Sequence, residues 1–200
     1  MPCTISAGRD VSCKDAVGGI KGVYIHNYDE WWTAAGSNLD EATGQITTII
    51  DAAVGSTTFT LYYFQVRREM CNLEVSVNSS PENGTTFFEQ RLTINLNKLS
   101  QEDANTMKLL AQGRPQIIVE DNQGNLIMLG GKNGMDVTSG SISTGQAFGD
   151  RNGVTLEFTG RENDAFYTLI GAGCTTTCAP APFELYANTA ITIDPDPVAP

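Results

Sequence analysis

A long β-hairpin is the feature of this sequence that most restricts the fold. Residues 72–80 (NLEVSVNSS) and 85–98 (TTFFEQRLTINLNK) are rich in the β-branched and aromatic residues typical of strands. The short segment that joins them contains Pro81 and the pair Asn83-Gly84, which are strong turn-forming residues. The two runs therefore predict an antiparallel hairpin with long arms.

Further strand patterns lie on both sides of this hairpin. The segment DNQG between two apolar runs, QIIVE and NLIML, predicts a second hairpin turn. The remaining runs are rich in β-branched and aromatic residues or alternate between apolar and polar residues, as half-buried strands do. They occupy residues 20–28, 45–50, 57–66 and 154–160. We therefore expect a mainly β protein in which most strands are antiparallel.

One helix is predicted between the hairpins. Ser100 is a suitable N-cap, and Asp103 follows it three residues later, as in a capping box. Gly113 follows the last turn, and Pro115 prevents the helix from continuing. We expect the helix to lie flat against a sheet, because its apolar stripe is narrow and consists of Ala104, Met107, Leu110 and Ala111.

The length of 200 residues favours a single domain. Residues 1–19 have no sustained periodicity and are expected to form an N-terminal arm. Residues 20–170 contain the strand patterns and form the predicted β domain. Residues 171–200 are irregular and rich in proline, so a C-terminal extension with one or two strands at most is expected.

The charge of the chain argues against binding to nucleic acid or to an anionic membrane. Asp and Glu number 23 against 12 Lys and Arg, which gives a net charge of −11. The longest apolar runs, such as FTLYYFQV, are shorter than the roughly 20 residues of a membrane helix, so no membrane association is expected. The start, MPCTISAGRD, lacks the apolar core of a secretory signal, and synthesis in the cytoplasm is expected.

Residues for catalysis are scarce. His26 is the only histidine, so neither a histidine metal cluster nor a catalytic triad can be assembled, and no nucleophile elbow is present. We therefore expect no enzyme activity, no catalytic or metal site and no cofactor. Cys71 is expected to be a small core residue. We expect the four other cysteines to be reduced, and their spacing argues against two tight zinc knuckles; disulfides or a zinc site are the alternatives if the chain termini meet: Cys3, Cys13, Cys174 and Cys178.

Two segments are better explained by contacts with other molecules. Trp31 and Trp32 lie together in a polar, acidic stretch, where they either fold onto their own core or anchor in another subunit. Residues 131–149 form a long Gly/Ser/Thr-rich segment with few charged residues, whose extended backbone needs hydrogen-bond partners, which neighbouring copies would supply. The candidate interface residues are Trp31, Trp32, Gly140, Ser141, Ser143, Gly145 and Phe148.

A family resemblance covers about half of the chain. NGTTFFEQRLTINLNKLS (83–100) and the stretch from AQGRPQIIVEDNQGN to GVTLEFTGRE (111–162) resemble tail-tube and related virion structural proteins of tailed phages of Bacteroidetes-type hosts. CKDAVGGIKGVYIHNY (13–28) resembles the opening segment of those proteins. The resemblance implies a β-sandwich or small barrel with one helix and long loops. It also implies rings, typically hexameric, that stack into a channel for the genome.

In a channel of this kind, a lumen lined with carboxylates would repel phosphate, and Glu89 and Glu157 are the candidate lumen acids because they lie on strand patterns. The expected partners are further copies of the chain and other tail or neck proteins in the virion tail, with DNA only passing through. A neck, connector or tail-completion ring of the same fold is the alternative. A carbohydrate-binding module using the aromatic pairs at 31–32 and 62–63 is a second alternative, and a hydrolase a third.

Overall fold

The structure is a computed structural model, and it describes residues 8, 16–28, 38–40, 44–48, 59–67, 69–98, 100–170, 182–183 and 191–194. These residues form one helix, α1 (Gln101–Gln112), and the following strands: β1 (Ile20–His26), β2 (Asn38–Asp40), β3 (Gln45–Thr48), β4 (Phe59–Gln65), β5 (Asn72–Ser80), β6 (Thr85–Asn97), β7 (Gln116–Asp121), β8 (Leu126–Leu129), β9 (Asp136–Ser143), β10 (Gly153–Glu162), β11 (Tyr167–Leu169) and β12 (Ile191–Asp194).

The strands form two sheets. The larger sheet has eight strands in the order β12-β4-β1-β7-β8-β11-β3-β2, and the smaller has four in the order β5-β6-β10-β9. The larger sheet curls into a half-barrel, so the expectation of a mainly β sandwich or small barrel with one helix is confirmed. All strand pairs are antiparallel except β12 with β4 and β11 with β3, which are parallel.

Each face of the larger sheet covers a core, because successive side chains of a strand point to opposite faces. In β7, Ile117 and Val119 join the core between the two sheets, whereas Ile118 joins a second core on the opposite face. The core between the sheets receives Leu92 and Phe158 from the smaller sheet. The smaller sheet therefore has one buried face, and its other face is left outside the two cores.

The helix begins and ends where the sequence predicts. Ala104 N donates to the Ser100 carbonyl at 3.3 Å, and Gly113 N donates to the Leu109 carbonyl at 2.9 Å. Met107 and Leu110 pack against the core between the sheets, whereas Ala104 and Ala111 of the predicted stripe are exposed. The helix thus contacts the core through a narrower stripe than expected, formed by Met107 and Leu110.

The fold extends past the expected domain boundary at residue 170. Strand β12 pairs with β4 along the edge of the larger sheet, and Phe183 is fully buried against Tyr24 with its ring at 81° and 5.2 Å. The described parts of 171–200 therefore belong to the fold rather than to a separate extension. The Gly/Ser/Thr segment contributes a strand, β9, at one edge of the smaller sheet.

Candidate subunit-joining face

The smaller sheet has a polar face turned away from the core. Val154, Leu156 and Phe158 of β10 are buried between the sheets, so the alternate residues of that strand point outward. The strand registers place the matching residues of β5, β6 and β9 on the same side. We call this surface the outer face, and its side chains include Glu74, Asn78, Phe87, Glu89, Arg91, Thr93, Asn95, Asp136, Ser139, Ser141, Ser143, Thr155, Glu157, Thr159 and Arg161.

The two candidate lumen acids lie on the outer face, on either side of one arginine. Arg91 Nε lies 3.2 Å from a Glu157 carboxylate oxygen, and Arg91 Nη2 lies 3.8 Å from a Glu89 oxygen. Asn78 Nδ2 also donates to Glu89, at 3.4 Å. The outer face is accordingly mixed in charge, with four carboxylates and three guanidiniums: Glu74, Glu89, Asp136 and Glu157 against Arg91, Arg151 and Arg161.

The polar groups of the outer face also hydrogen bond to each other. Thr155 Oγ1 donates to Asn95 Oδ1 at 2.8 Å, and the Arg151 guanidinium donates to both side chains. The Thr138 and Thr159 hydroxyls lie 3.0 Å apart. A surface of this kind is well solvated, and Phe87, whose ring lies under the Arg161 guanidinium, is the one aromatic side chain named on it. It is suited to face water rather than to lie in a subunit interface.

The edges of the smaller sheet, in contrast, are unpaired in the part of the chain that the structure describes. Strands β5 and β9 form its two edges, and neither has a second partner strand among the described residues. Each contains a single charged residue, Glu74 and Asp136 respectively, and neither contains lysine or proline. Natural proteins usually protect long edge strands with such residues, because a bare edge recruits other strands. Both edges are therefore built in a way that permits pairing with another chain.

The remaining candidate interface residues occupy β9 and the loop that follows it. Ser141 and Ser143 lie on the outer face, whereas Gly140 sits over Leu156, and a Cβ there would lie 3.3 Å from Leu156 Cδ2. Gly145 has a φ of +73°, and a Cβ would lie 2.7 Å from Asp150 Cβ. Glycine at 145 is thus required by the turn itself. Trp31 and Trp32 lie outside the described residues, as do Cys3, Cys13, Cys174 and Cys178.

The loop 144–152 is held in shape by a residue that the sequence analysis did not single out. The Asp150 carboxylate accepts hydrogen bonds from Gln146 N at 2.9 Å and Ala147 N at 2.8 Å. Asp150 N donates back to the Ala147 carbonyl at 3.0 Å. The two bonds from backbone N–H groups favour the charged carboxylate and lower the pKa of Asp150. Phe148 lies within this braced loop and is fully exposed.

A buried polar cluster joins the two sheets and was also missed. Glu162 Oε1 accepts from Lys132 N at 3.0 Å and from Asn133 N at 2.7 Å, and Gln90 Oε1 accepts from Gly130 N at 2.8 Å. Gln90 Nε2 donates to the Ala165 carbonyl at 2.8 Å. Burial raises the pKa of Glu162 despite these bonds. These side chains hold the loop 130–135, and Glu162 Oε2 also accepts a hydrogen bond from Asn133 Nδ2 at 3.3 Å.

The other ionisable groups of the interior have structural contacts as well. Glu120 is buried, forms an ion pair with Lys21 and accepts from the Tyr24 hydroxyl at 3.4 Å. Burial, followed by the Glu120 charge, raises the pKa of Tyr24. His26 Nδ1 lies 2.7 Å from the Thr60 carbonyl oxygen. Within the described ranges, no group of three or more His, Cys, Asp or Glu side chains is placed to hold a metal ion.

Cys71 and the tyrosine pair at 62–63 occupy different environments. Cys71 is half-buried against the core between the sheets, and burial raises the pKa of its thiol. Tyr63 packs against Tyr24 on one face of the larger sheet, with ring centroids 4.9 Å apart. Tyr62 lies on the opposite face, beside α1. The two tyrosines therefore cannot provide a common stacking surface for a sugar.

The chain matches no family model, no curated protein and no solved structure. In the part of the chain that the structure describes, no helix has the length and apolar character needed to cross a membrane.

Proposed function

We propose that this protein is a structural subunit that assembles with copies of itself into rings, and that the rings stack to form a tube such as the tail tube of a tailed phage. The observation that carries the proposal is the pair of open edges on the four-stranded sheet. Strands β5 and β9 lie on opposite sides of that sheet and are nine and eight residues long. Among the described residues neither has a second partner strand, and each carries one charged residue but no lysine or proline.

The strand directions are compatible with closure into a ring. Each neighbouring pair in the smaller sheet is antiparallel, so β5 and β9 run in opposite directions. Rotation about an axis along the strands would bring β9 of one copy beside β5 of the next, again antiparallel. Such contacts join two different surfaces, and they generate a ring when the rotation closes. The result would be one continuous antiparallel barrel with the outer faces of all copies on one side.

The polarity and the mixed charge of the outer face support the proposal that it lines a channel. Its side chains are polar, hydrogen bonded to each other and mixed in charge, and Arg91 is engaged by Glu89 and Glu157. Arginine that is neutralised in this way contributes little to capture of phosphate, which is the main source of nonspecific affinity for DNA. The genome would pass such a surface without binding to it, and the partners of the protein would be its own copies and other virion tail or neck proteins.

Negative-stain electron microscopy and analytical ultracentrifugation of the purified protein, over a range of concentrations, test the proposal. Closed rings with a central channel are expected, together with stacked rings at higher concentration. Rings that never stack would favour a neck, connector or completion ring instead of a tube. A compact monomer at all concentrations would contradict the proposal and would favour a binding module.

A further inference from the structure

Phe148 is an exposed aromatic side chain on a rigid support. Its side chain makes no contact that removes it from solvent, whereas the backbone around it is fixed by the Asp150 carboxylate and by the left-handed turn at Gly145. Phe148 gains no burial within one copy, so the whole of its ring remains available to a partner. A preorganised, exposed aromatic is the usual form of an anchor that fills a pocket on a partner.

The same chain has an apolar groove of about 290 Å³ between the second half of α1 and the larger sheet. Apolar cavities of about 150 Å³ already take up a benzene molecule, so the groove has room for one phenyl ring. Leu109 on its rim is 69% exposed, and Tyr62 is also exposed. We call this surface the helix groove, and its apolar lining consists of Ile25, Tyr28, Tyr62, Phe64, Leu109 and Leu110.

Phe148 and the helix groove lie at opposite ends of the smaller sheet. The groove includes Arg114 and Pro115, and Met135 N, next to the start of β9, donates to the Pro115 carbonyl at 2.8 Å. Phe148 follows the other end of β9, and eight residues of strand span about 25 Å. Near Phe148, Lys98 N donates to the Asn152 carbonyl at 2.9 Å, which places the start of α1 at that end and its groove-lining half farther away. One copy therefore cannot fill its own groove with its own Phe148.

We propose that Phe148 of one copy inserts into the helix groove of a second copy, so that copies join head to tail along the direction of the strands. Charge supports this occupant, because Asp150 beside Phe148 is negative and fully exposed, whereas exposed Arg114 lies at the groove with its guanidinium 3.9 Å from the centre of the Tyr28 ring. The contact joins two different surfaces and can repeat from copy to copy.

The interpretation of the head-to-tail contact rests on the proposed function. In that function, pairing of β5 with β9 joins copies side by side within a ring. A contact along the strands is perpendicular to that pairing. Phe148 would therefore connect one ring to the next. The two contacts use different residues, so loss of one need not abolish the other.

The first test compares Phe148→Ala with Phe166→Ala, a matched control in which another exposed phenylalanine, 41% accessible, is removed. Phe148→Ala is expected to leave rings intact but to raise the concentration needed for stacking by at least about tenfold, the effect of truncating an interface anchor. Phe166→Ala is expected to stack like the unmodified protein. Normal stacking of Phe148→Ala, or an equal loss in both variants, would overturn the head-to-tail contact while leaving the ring proposal standing.

The second test uses disulfide cross-linking under a mild oxidant between two variants, Gly149→Cys and Leu109→Cys, mixed after separate purification. Gly149 is exposed beside Phe148 and has open space for a side chain, so this variant keeps the anchor itself. Covalent dimers are expected in the mixture well above the level in either variant alone. A mixture of Val77→Cys with Leu109→Cys is the control, because Val77 is also exposed but lies on β5. If the protein forms no rings and the cross-link still appears, the ring proposal fails and the head-to-tail contact stands. Absence of the cross-link above background overturns the contact.

Discussion

Arg91 and Glu157 are diagonal neighbours on adjacent strands of the outer face, with Arg91 Nε 3.2 Å from the carboxylate. Both side chains are partly exposed, so solvent screens their attraction, and exposed pairs of this kind contribute between about 0 and 1 kcal/mol. Arg91→Gln should therefore lower the free energy of unfolding by less than about 1 kcal/mol in a urea titration. A loss of several kcal/mol would mean that the outer face is covered in the folded protein.

Glu89 and Glu157, the acids beside Arg91, are expected to lower the affinity for DNA rather than to stabilise the fold. Replacing Glu89 and Glu157 by lysine would surround Arg91 with cations and create a surface that captures phosphate. We expect the double variant to retain DNA in a filter-binding assay at low salt, with affinity that falls steeply as salt rises, whereas the unmodified protein retains none. Replacing Glu82 and Asp194, which lie away from Arg91, by lysine makes the same change in charge and is the control, which should have a smaller effect. Equal binding by the unmodified protein would contradict the repelling role of these acids.

The buried carboxylate of Glu162 predicts a specific dependence of stability on pH. Burial raises its pKa in the folded protein above the ordinary value of about 4.3, so the folded state holds a proton that the unfolded state has released. The stabilisation that protonated Glu162 provides is complete below the unfolded pKa and is lost as pH rises through the raised value. Glu162→Gln removes this titration.

The measurement is the difference in free energy of unfolding between the unmodified protein and Glu162→Gln, followed from pH 4 to 7. The difference should fall as pH rises, although Lys132 and Asp164 also act on the carboxylate, with opposite signs. Comparing the two proteins cancels the titration of the other acids. A difference that grows with pH would show that the hydrogen bonds from Lys132 N and Asn133 N outweigh burial.

Replacing Gly145 is expected to lower the free energy of unfolding by straining the loop 144–152, independently of any subunit interface. The φ of +73° at Gly145 is unfavourable for residues with a side chain, and a Cβ would collide with Asp150 Cβ at 2.7 Å. Gly84 has a similar φ of +63° but has open space around it, so Gly84→Ala measures the backbone penalty alone, about 1 kcal/mol. Gly145→Ala should cost clearly more than Gly84→Ala in chemical denaturation. Equal costs would mean that the loop 144–152 relaxes without resistance.

The elements that the sequence predicts well are those whose signals are local. The arms of the hairpin β5–β6 carry their own alternation and turn residues, and α1 carries its own caps, so their bounds follow from a few neighbouring positions. Strands β11 and β12 have three and four residues, and each has a parallel partner distant in the sequence. Nothing local identifies such strands, because tertiary pairing alone stabilises them.

The buried polar cluster was missed for a different reason. Glutamate and glutamine are residue types that are mostly exposed, so residue type alone does not indicate that Glu162 and Gln90 are buried. Counting by two from Phe158 reaches Glu162, and counting by two from Leu92 reaches Gln90, so both lie on the face that points into the core. The alternation along the two strands therefore predicts that both side chains are buried. The backbone N–H groups of loop 130–135 that donate to them cannot be predicted without the fold.

The open edge at β9 gives the most direct prediction about assembly. Successive N–H groups of a strand point in opposite directions. The N–H group of one of the neighbours Ser141 and Ile142 therefore donates toward β10, and the N–H group of the other points to the unpaired side. Proline removes the N–H group at its position. One of Ser141→Pro and Ile142→Pro should therefore keep nearly normal thermal stability but form no rings, and the other should lower the stability of the fold itself. Circular dichroism melting identifies the stable variant, and ultracentrifugation measures its assembly. If that variant forms rings as the unmodified protein does, β9 is not the strand through which neighbouring copies pair.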